Sequence, residues 1–335
     1  MKPLLATVSR KEAGIAVLGA AGLAAAATLP LFDTGYYLSL ALNIVMYVVL
    51  CTAWTLFSGP THYISLATAA FFGIGTYSVA LGIDHLPFPL LVAIGFVASS
   101  VLAGLVGIAT LRLSGVYFVI FTLGLAELVR QVVTWAQTNF THGVGLYVFT
   151  DFTETHIYWM LLALAAVVYV TGWLINRSRL GFAMRIIGND ETVARHVGIN
   201  TAMAKVALFM ISGGFIGIVG ACLAPRFAYV EPPSAFNPMI SFQVVIMALL
   251  GGTGRLWAPL LGVIPFTILF DQISAHFPNH TSLAIGIAFM AVVYLLPRGV
   301  VGFVDDMRKL KGKFRIVRAD EMVAGKMSGS EERAR

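Results

Sequence analysis

Two oppositely charged side chains lie three residues apart inside a long apolar stretch of the sequence. Glu127 and Arg130 occur in the segment FTLGLAELVRQVV. On a helix this spacing puts both side chains on one face, where they can form an ion pair and lower the cost of burying each charge in a membrane. Two interpretations are open: a structural link that holds this span against its neighbours, or a direct part in a translocation path.

The sequence contains no recognisable catalytic or metal-binding pattern. A phosphate-binding GxxxxGK(S/T) loop is absent, the seven histidines show no HExxH spacing, and Cys51 and Cys222 lie far apart in apolar segments. We therefore expect a chain that is not an enzyme and that binds no cofactor or metal itself.

The most polar internal segment runs from Ser178 to Asn200, SRLGFAMRIIGNDETVARHVGIN, between long apolar stretches. Positive residues cluster in it, which is typical of a cytoplasmic loop between membrane spans. Asn189 or Asp190 can cap the start of a short helix, acids follow in its first turn, and Gly198 can end it. The pattern predicts a structured cytoplasmic helix that is available to a partner protein.

The composition indicates an all-α polytopic membrane protein. Of the 335 residues, 58% are hydrophobic and only 11% are charged, and apolar segments long enough to cross a bilayer recur along the chain. The formal net charge of +6 does not indicate a nucleic-acid partner. The basic residues flank apolar segments, where they set the orientation of the chain in the lipid bilayer.

We predict about ten membrane spans, with both termini on the cytoplasmic side of the membrane. This orientation leaves all but two of the 22 Lys and Arg residues in the cytoplasm, as the positive-inside bias requires. Residues 1–303 form the transmembrane domain, with the polar loop at 176–202, and residues 304–335 form a charged cytoplasmic tail. The spans are predicted at 13–32, 36–57, 62–83, 88–111, 115–137, 157–175, 203–225, 238–252, 257–275 and 282–303.

The eighth predicted span is too short to cross a bilayer as one unbroken helix. It ends in a run that contains Gly251, Gly252 and Gly254. Either the helix is broken or re-entrant there, as in many transport pathways, or the glycines form a tight cytoplasmic turn. Elsewhere, small residues recur at helical spacing and predict close helix packing. They include Gly73, Gly75, Gly213, Gly217 and Gly220.

Four segments resemble the LivM-type permease subunits of ATP-driven branched-chain amino acid importers. They are ISLATAAFFGIGTY at 64–77, LRLSGVYFVIFTLGLAELVR at 111–130, the polar loop with the span after it, and VVIMALLGGTGRLWAPLLG at 244–262. All four occur in the family's order. One departure is that Ala67-Thr68 stands where family members commonly have a Gly-His pair.

The resemblance implies that the polar loop is a coupling loop, whose helix sits in a groove of an ATPase subunit. It implies further partners: a second, LivH-type permease, two ATPase subunits that bind ATP and Mg, and a periplasmic substrate-binding protein. The cargo would be branched-chain or related hydrophobic amino acids, and residues 1–303 would be a permease domain in a bacterial inner (cytoplasmic) membrane. The positions that match the coupling contact are Arg185, Asn189, Asp190, Glu191, Ala194, Arg195 and Gly198.

Two other functions are open from the sequence. Similar permeases belong to importers of urea or short amides. A stand-alone secondary carrier, driven by protons or sodium through Glu127, would work without an ATPase.

Overall fold

The computed structural model describes residues 19, 21–32, 35–110, 115–140, 143, 145–276 and 280–295. Most of these residues are helical, because lipid offers the backbone no hydrogen-bond partner. Residues 21–27 are helical, and a short helix follows at Leu29–Phe32. The later elements are α1 (Tyr36–Thr61), α2 (Thr68–Gly82), α3 (Phe88–Thr110), α4 (Val116–Phe140), β1 (Leu146–Tyr147), α5 (Glu154–Arg177), α6 (Arg179–Asn189), α7 (Glu191–His196), α8 (Thr201–Leu223) with a 3-10 turn at Ala224–Arg226, β2 (Tyr229–Val230), α9 (Pro232–Ala235), α10 (Pro238–Gly251), α11 (Ala258–His276) and α12 (Thr281–Leu295).

Seven helical segments among the described residues are long and apolar enough to cross a membrane. They are α1, α3, α4, α5, α8 with its 3-10 turn, α9 together with α10, and α11. The prediction of an all-α polytopic membrane protein is confirmed. Of the other predicted spans, 13–32 lies partly outside the described residues and 282–303 is described only to residue 295. The predicted tail, 304–335, lies outside them entirely.

The prediction of a helical span over 62–83 is wrong at its start. The backbone is irregular up to residue 67, and α2 follows with only 15 residues. Side chains of other helices satisfy this irregular entry: Thr122 Oγ1 accepts a hydrogen bond from the Leu66 N–H at 3.0 Å. Ser241 Oγ accepts one from the Ala69 N–H at 2.9 Å. Irregular backbone is tolerated at membrane depth where it is buried in protein in this way.

Helix α8 lies at the centre of the described bundle. It packs along α2 and α3 and also contacts α1 and α5. A Cβ atom on Gly75 of α2 would lie 1.8 Å from the Gly217 carbonyl oxygen of α8, and one on Gly220 would lie 2.0 Å from the Phe72 oxygen. The predicted close packing at these glycines is confirmed, because only a hydrogen atom fits between the backbones.

The connections between helices that the structure describes lie at two opposite ends of the bundle. At one end, Gly59 packs against the Thr253 carbonyl and Gly188 packs against the Pro60 carbonyl. We call this the polar end, because it carries the loop 176–202. At the opposite end β1 pairs with β2 in antiparallel register, and we call it the sheet end. Several basic residues belong to the polar-end connections and the helix ends beside them: Arg177, Arg179, Arg185, Arg195, Lys205 and Arg255.

The polar loop folds into two short helices, each with its own N-cap. Ser178 Oγ accepts from the Gly181 N–H at the start of α6. At the start of α7, Asp190 Oδ1 accepts from the N–H groups of Thr192 at 2.7 Å and Val193 at 3.2 Å. The predicted helix is confirmed with Asp190 as its cap. The alternative cap, Asn189, was wrong, because this residue ends α6.

Gly198 ends α7 as predicted. Its φ angle is +83°, a conformation that glycine adopts without steric cost. The Gly198 N–H donates to the Arg195 carbonyl at 3.0 Å, and the Ile199 N–H donates to the Ala194 carbonyl at 3.0 Å. These two bonds form a Schellman motif, which satisfies carbonyl groups that a helix end otherwise leaves free.

The cap at Asp190 can be tested without disturbing the spans. Asp190→Ala removes the acceptor of two N–H groups and should fray α7, whereas Asp190→Asn keeps an acceptor. We expect hydrogen–deuterium exchange of residues 191–196 to be several-fold faster in the alanine variant only. Equal exchange in both variants would contradict the capping role.

The same cap predicts a pH dependence. Hydrogen bonds from the N–H groups of Val193 and Thr192 lower the pKa of the Asp190 carboxyl. The stabilisation of α7 is therefore complete above the ordinary pKa of about 3.9 and is lost as the pH falls through the lowered pKa. Hydrogen–deuterium exchange of residues 191–196, corrected for the intrinsic rate, should therefore be unchanged between pH 7 and 5 and should accelerate only as the pH falls through the lowered pKa. Acceleration on raising the pH from 5 to 7 would contradict this prediction.

The close contact of α8 with α2 predicts a sharp sensitivity to one methyl group. Gly75→Ala should lower the free energy of unfolding by about 1–3 kcal/mol, because the clashing atom belongs to the backbone and cannot rotate away. Gly286→Ala is the matched control, since a Cβ there meets nothing within 4 Å. Thermal unfolding in detergent measures the difference. Equal midpoints for the two variants would rule out the close packing.

Candidate functional site

Helix α7 presents a mixed surface to solvent at the polar end. Val193 is 50% exposed and Val197 is 66% exposed. The Arg195 side chain is 68% exposed, and Asn189 and Asp190 are exposed beside it. Apolar side chains ringed by polar ones are the composition of a surface that a partner protein can cover.

Two residues assigned to this contact from the sequence face the interior instead. Ala194 has no exposed surface and belongs to the hydrophobic core. Its small size therefore serves the packing of α7 against its own chain. Glu191 also turns inward, and its carboxylate pairs with the buried Lys205, Nζ to Oε2 at 2.6 Å. We leave both residues out of the outward surface.

Arg185 and Arg195 have different partners within the loop. The Arg185 guanidinium donates to the Asn176 carbonyl at 2.5 Å and to the Gly181 carbonyl at 3.4 Å. It thereby supplies a donor to the carboxyl-terminal turn of α5. Arg195 Nη2 pairs with Glu191 at 2.9 Å, one turn earlier on α7. The loop is thus internally braced before any partner is bound.

The carboxylate of Glu191 is held between two cations. Partial burial opposes its ionisation, but hydrogen bonds from Lys205 and Arg195 outweigh burial, and the pKa of Glu191 is lowered. It therefore remains charged at neutral pH. This role of Lys205 was not predicted from the sequence, where the residue was counted only among the Lys and Arg residues on the cytoplasmic side. The available signal was a lysine inside the first turns of an otherwise apolar span.

The glycine run after α10 forms a turn. Helix α10 has 14 residues and ends at Gly251, and Gly252 has a φ angle of +105°. Gly251 lies against the Ala258 carbonyl, and Gly262 lies against the Met247 carbonyl, so α10 and α11 pack closely on both sides of the turn. Within the described residues this run is therefore the turn of a helical hairpin.

Glu127 and Arg130 form the predicted ion pair, but it does not join α4 to another described helix. Arg130 Nε donates to Glu127 Oε2 at 2.8 Å, and Gln131 Nε2 donates to Glu127 Oε1 at 2.8 Å. All three residues belong to α4. The side chains of Arg130 and Glu127 are 27% and 47% exposed, and they lie near the middle of this 25-residue span.

The exposed face around this pair extends along α4. Tyr117, Leu128 and Trp135 are 74%, 59% and 61% exposed. Phe118 and Thr122 lie on the opposite face and are buried against the bundle. We call the exposed side, including Glu127, the outer face of α4. Among the residues the structure describes, there is no cluster of three His, Cys, Asp or Glu side chains that could hold a metal ion.

Comparison with known proteins places this arrangement in a family. The family model described as branched-chain amino acid transport system / permease component matches residues 36–296. The permease protein LivM of Salmonella typhimurium, from the high-affinity branched-chain amino acid transport system, is 26% identical over 303 residues, covering 80% of this chain and 70% of the relative. LivM of Escherichia coli K12 gives the same figures, 26% identity, 80% and 70%.

More distant matches also occur. The permease protein LivH of Escherichia coli K12 is 25% identical over 286 residues, covering 76% of this chain and 91% of the relative. The solved structure of PsaBC from Streptococcus pneumoniae in complex with Fab covers 76% of this chain and 90% of its own, with 15% identity and a TM-score of 0.39, too remote a likeness to bear on the fold. The match over residues 36–296 means that the chain belongs to the family of permease components of branched-chain amino acid transport systems.

Proposed function

We propose that this chain is a translocating subunit of an ATP-driven importer, and that its polar loop docks on a separate ATPase subunit. The observation that carries the proposal is α7: a capped helix with exposed Val193 and Val197, set between the long apolar helices α5 and α8 in a chain of the permease family. A helix so placed can receive a displacement from outside the membrane and pass it to the spans. ATP and Mg bind to the partner ATPase.

The proposed topology has ten spans in a bacterial inner membrane, with both termini in the cytoplasm. The polar end then faces the cytoplasm, in agreement with the basic residues that lie there. The sheet end faces the periplasm, where a substrate-binding protein delivers the cargo. The described connections of α1, α5 and α8 to their neighbours, which lie at the polar end or at the sheet end, support this arrangement.

A second permease subunit completes the translocation unit. Two permease proteins, LivM and LivH, carry the name of the same high-affinity branched-chain amino acid transport system in Escherichia coli K12, and this chain is similar to both. By that similarity the partners are a LivH-type permease, two ATPase subunits and a periplasmic binding protein. The cargo is a branched-chain or related hydrophobic amino acid.

The outer face of α4 is where we place the second permease and the translocation path. A charged side chain near the bilayer centre costs about 2.5–3.5 kcal/mol on insertion scales when it faces lipid. The Glu127–Arg130 pair is partly exposed at that depth, so a protein or water-filled surface must cover it in the membrane. A second permease that packs on this face leaves the pair at the boundary of the two subunits, where a path can run.

Reconstitution of the complete system tests the importer function. Uptake of leucine, isoleucine and valine into proteoliposomes should require the ATPase, ATP and the binding protein. Binding of candidate amino acids, urea and short amides to the cognate binding protein identifies the cargo. Gradient-driven uptake by this chain alone would instead support a secondary carrier.

The docking surface predicts the effect of charge on α7. Val193→Glu with Val197→Glu should break an apolar contact and lower ATP-dependent uptake at least about fivefold, while the spans remain folded. Val193→Ala with Val197→Ala keeps the surface apolar and should cost less. Co-purification of the ATPase with each variant measures docking directly. Undiminished ATPase binding by the glutamate variant would exclude this surface as the contact.

The outer face of α4 gives a separate prediction. Glu127→Gln with Arg130→Met removes both charges at similar size, and should lower uptake at least about fivefold while the two permeases still co-purify. Leu128→Ala, on the same face, is the control and should retain uptake. Normal transport with lowered thermal stability in the double variant would assign the pair to structure alone.

A further inference from the structure

Lys205, near the start of α8, is a buried cation with a complete set of partners. Its side chain is 1% exposed. Nζ lies 2.6 Å from Glu191 Oε2 and 3.3 Å from the Tyr63 hydroxyl, and 4.6 Å from the centroid of the Tyr63 ring. A buried ammonium is costly unless it is paired and hydrogen-bonded. These contacts hold the three side chains in one arrangement.

The three residues belong to three different parts of the fold. Glu191 is the first residue of α7, Lys205 lies in the second turn of the central helix α8, and Tyr63 lies in the irregular segment before α2. The Tyr63 ring also packs edge-on against Phe118 of α4, with centroids 5.2 Å apart. One ammonium group therefore joins the outward-facing loop helix to the two helices that meet at Gly75 and Gly217.

The entry to α2 is a segment that can respond to such a link. Residues 63–66 are not helical, and side chains of other segments bond to their backbone. Thr122 Oγ1 accepts from the Leu66 N–H, and Trp54 Nε1 donates to the Ser65 carbonyl at 2.8 Å. A helix resists local deformation because each turn is bonded to the next. An irregular segment held by side chains lacks these regular backbone hydrogen bonds, so a shift of Tyr63 can re-orient the start of α2.

We propose that Lys205 is the positioning residue through which displacement of α7 reaches α8 and the entry of α2. This inference rests on the proposed function, in which an ATPase moves α7. Lys205 contacts neither cargo nor ATPase in this role; it acts through Glu191 on one side and Tyr63 on the other. Loss of the link leaves α7 joined to α8 only by the segment 197–200 and by the packing of Ala194, so a smaller part of its displacement reaches the spans.

The two halves of the ion pair are unequal, and this decides the choice of variant. Removal of the Glu191 carboxylate leaves a buried ammonium without its counter-charge, which is strongly destabilising. Removal of the ammonium leaves Glu191 with 32% of its side chain exposed and still paired with Arg195. Lys205→Met is therefore the variant expected to fold.

The test uses the complete importer in proteoliposomes and measures cargo taken up per ATP hydrolysed. Lys205→Met should lower this ratio at least about fivefold, with ATP hydrolysis retained, because a lost coupling interaction of ordinary size has that effect. Lys205→Arg keeps a cation and should recover part of the ratio.

A wild-type ratio in the Lys205→Met complex would overturn the inference. If that complex does not assemble, the double variant Glu191→Gln, Lys205→Met is used, because it removes both charges and leaves no unpaired carboxylate. The double variant should assemble and take up little cargo per ATP hydrolysed. A wild-type ratio of cargo to ATP would again overturn the inference. Failure of the wild-type complex to couple ATP to uptake would refute the proposed function itself, which is a different result.

Discussion

Close backbone contact between α8 and its neighbours is the constraint on which the rest of the structure depends. Lipid tails are as apolar as leucine, so helices in a membrane associate through packing and hydrogen bonds rather than through burial from water. At Gly75, Gly217 and Gly220 the backbones approach within the space of a hydrogen atom. Helix α2 needs this contact most, since its 15 residues rise about 22 Å at 1.5 Å each, less than the hydrocarbon core of about 30 Å.

Cations fasten α8 at both ends, each by a different kind of link. Lys205 ties the polar end to the loop helix α7. At the sheet end, Arg226 donates to Asn43 Oδ1 at 2.8 Å and to Ser39 Oγ at 2.6 Å, and lies 3.4 Å from the Glu154 carboxylate. The sheet-end link joins α8 to the starts of two long spans, α1 and α5. The polar-end link joins it instead to a short helix on the surface of the chain.

The sequence predicted structure wherever the deciding residues are close together in the chain. The cap at Asp190 and the stop at Gly198 depend on N–H and C=O groups within a few positions, and both were confirmed. The number of apolar segments likewise indicated a polytopic helical fold. The irregular entry to α2 was missed because its hydrogen-bond partners, Thr122 and Ser241, come from distant helices. A hydropathy pattern carries no information about such partners.

Burial of individual site residues was unpredictable for the same reason. Ala194 is one of the positions that match the coupling contact, yet it is buried in the core of its own chain. The resemblance to a family predicted that the whole loop is a coupling loop. It gave no information on which side of α7 faces outward. That depends on where Lys205 lies when α8 is in place. Tertiary contact therefore divides the matching positions into outward and inward sets that the motif alone does not distinguish.

Two carboxylate–cation pairs of this chain differ in whether the chain itself buries them. Lys205 and Glu191 come from different helices and one partner is fully enclosed, so the chain satisfies this pair itself. Glu127 and Arg130 lie one turn apart on α4 and remain partly exposed near mid-span. In water such exposure would be ordinary, but in a bilayer it is costly. The first pair is buried within this chain, and the second lies on the face of α4 where we propose that a second permease packs; the polar loop is formed without such a partner.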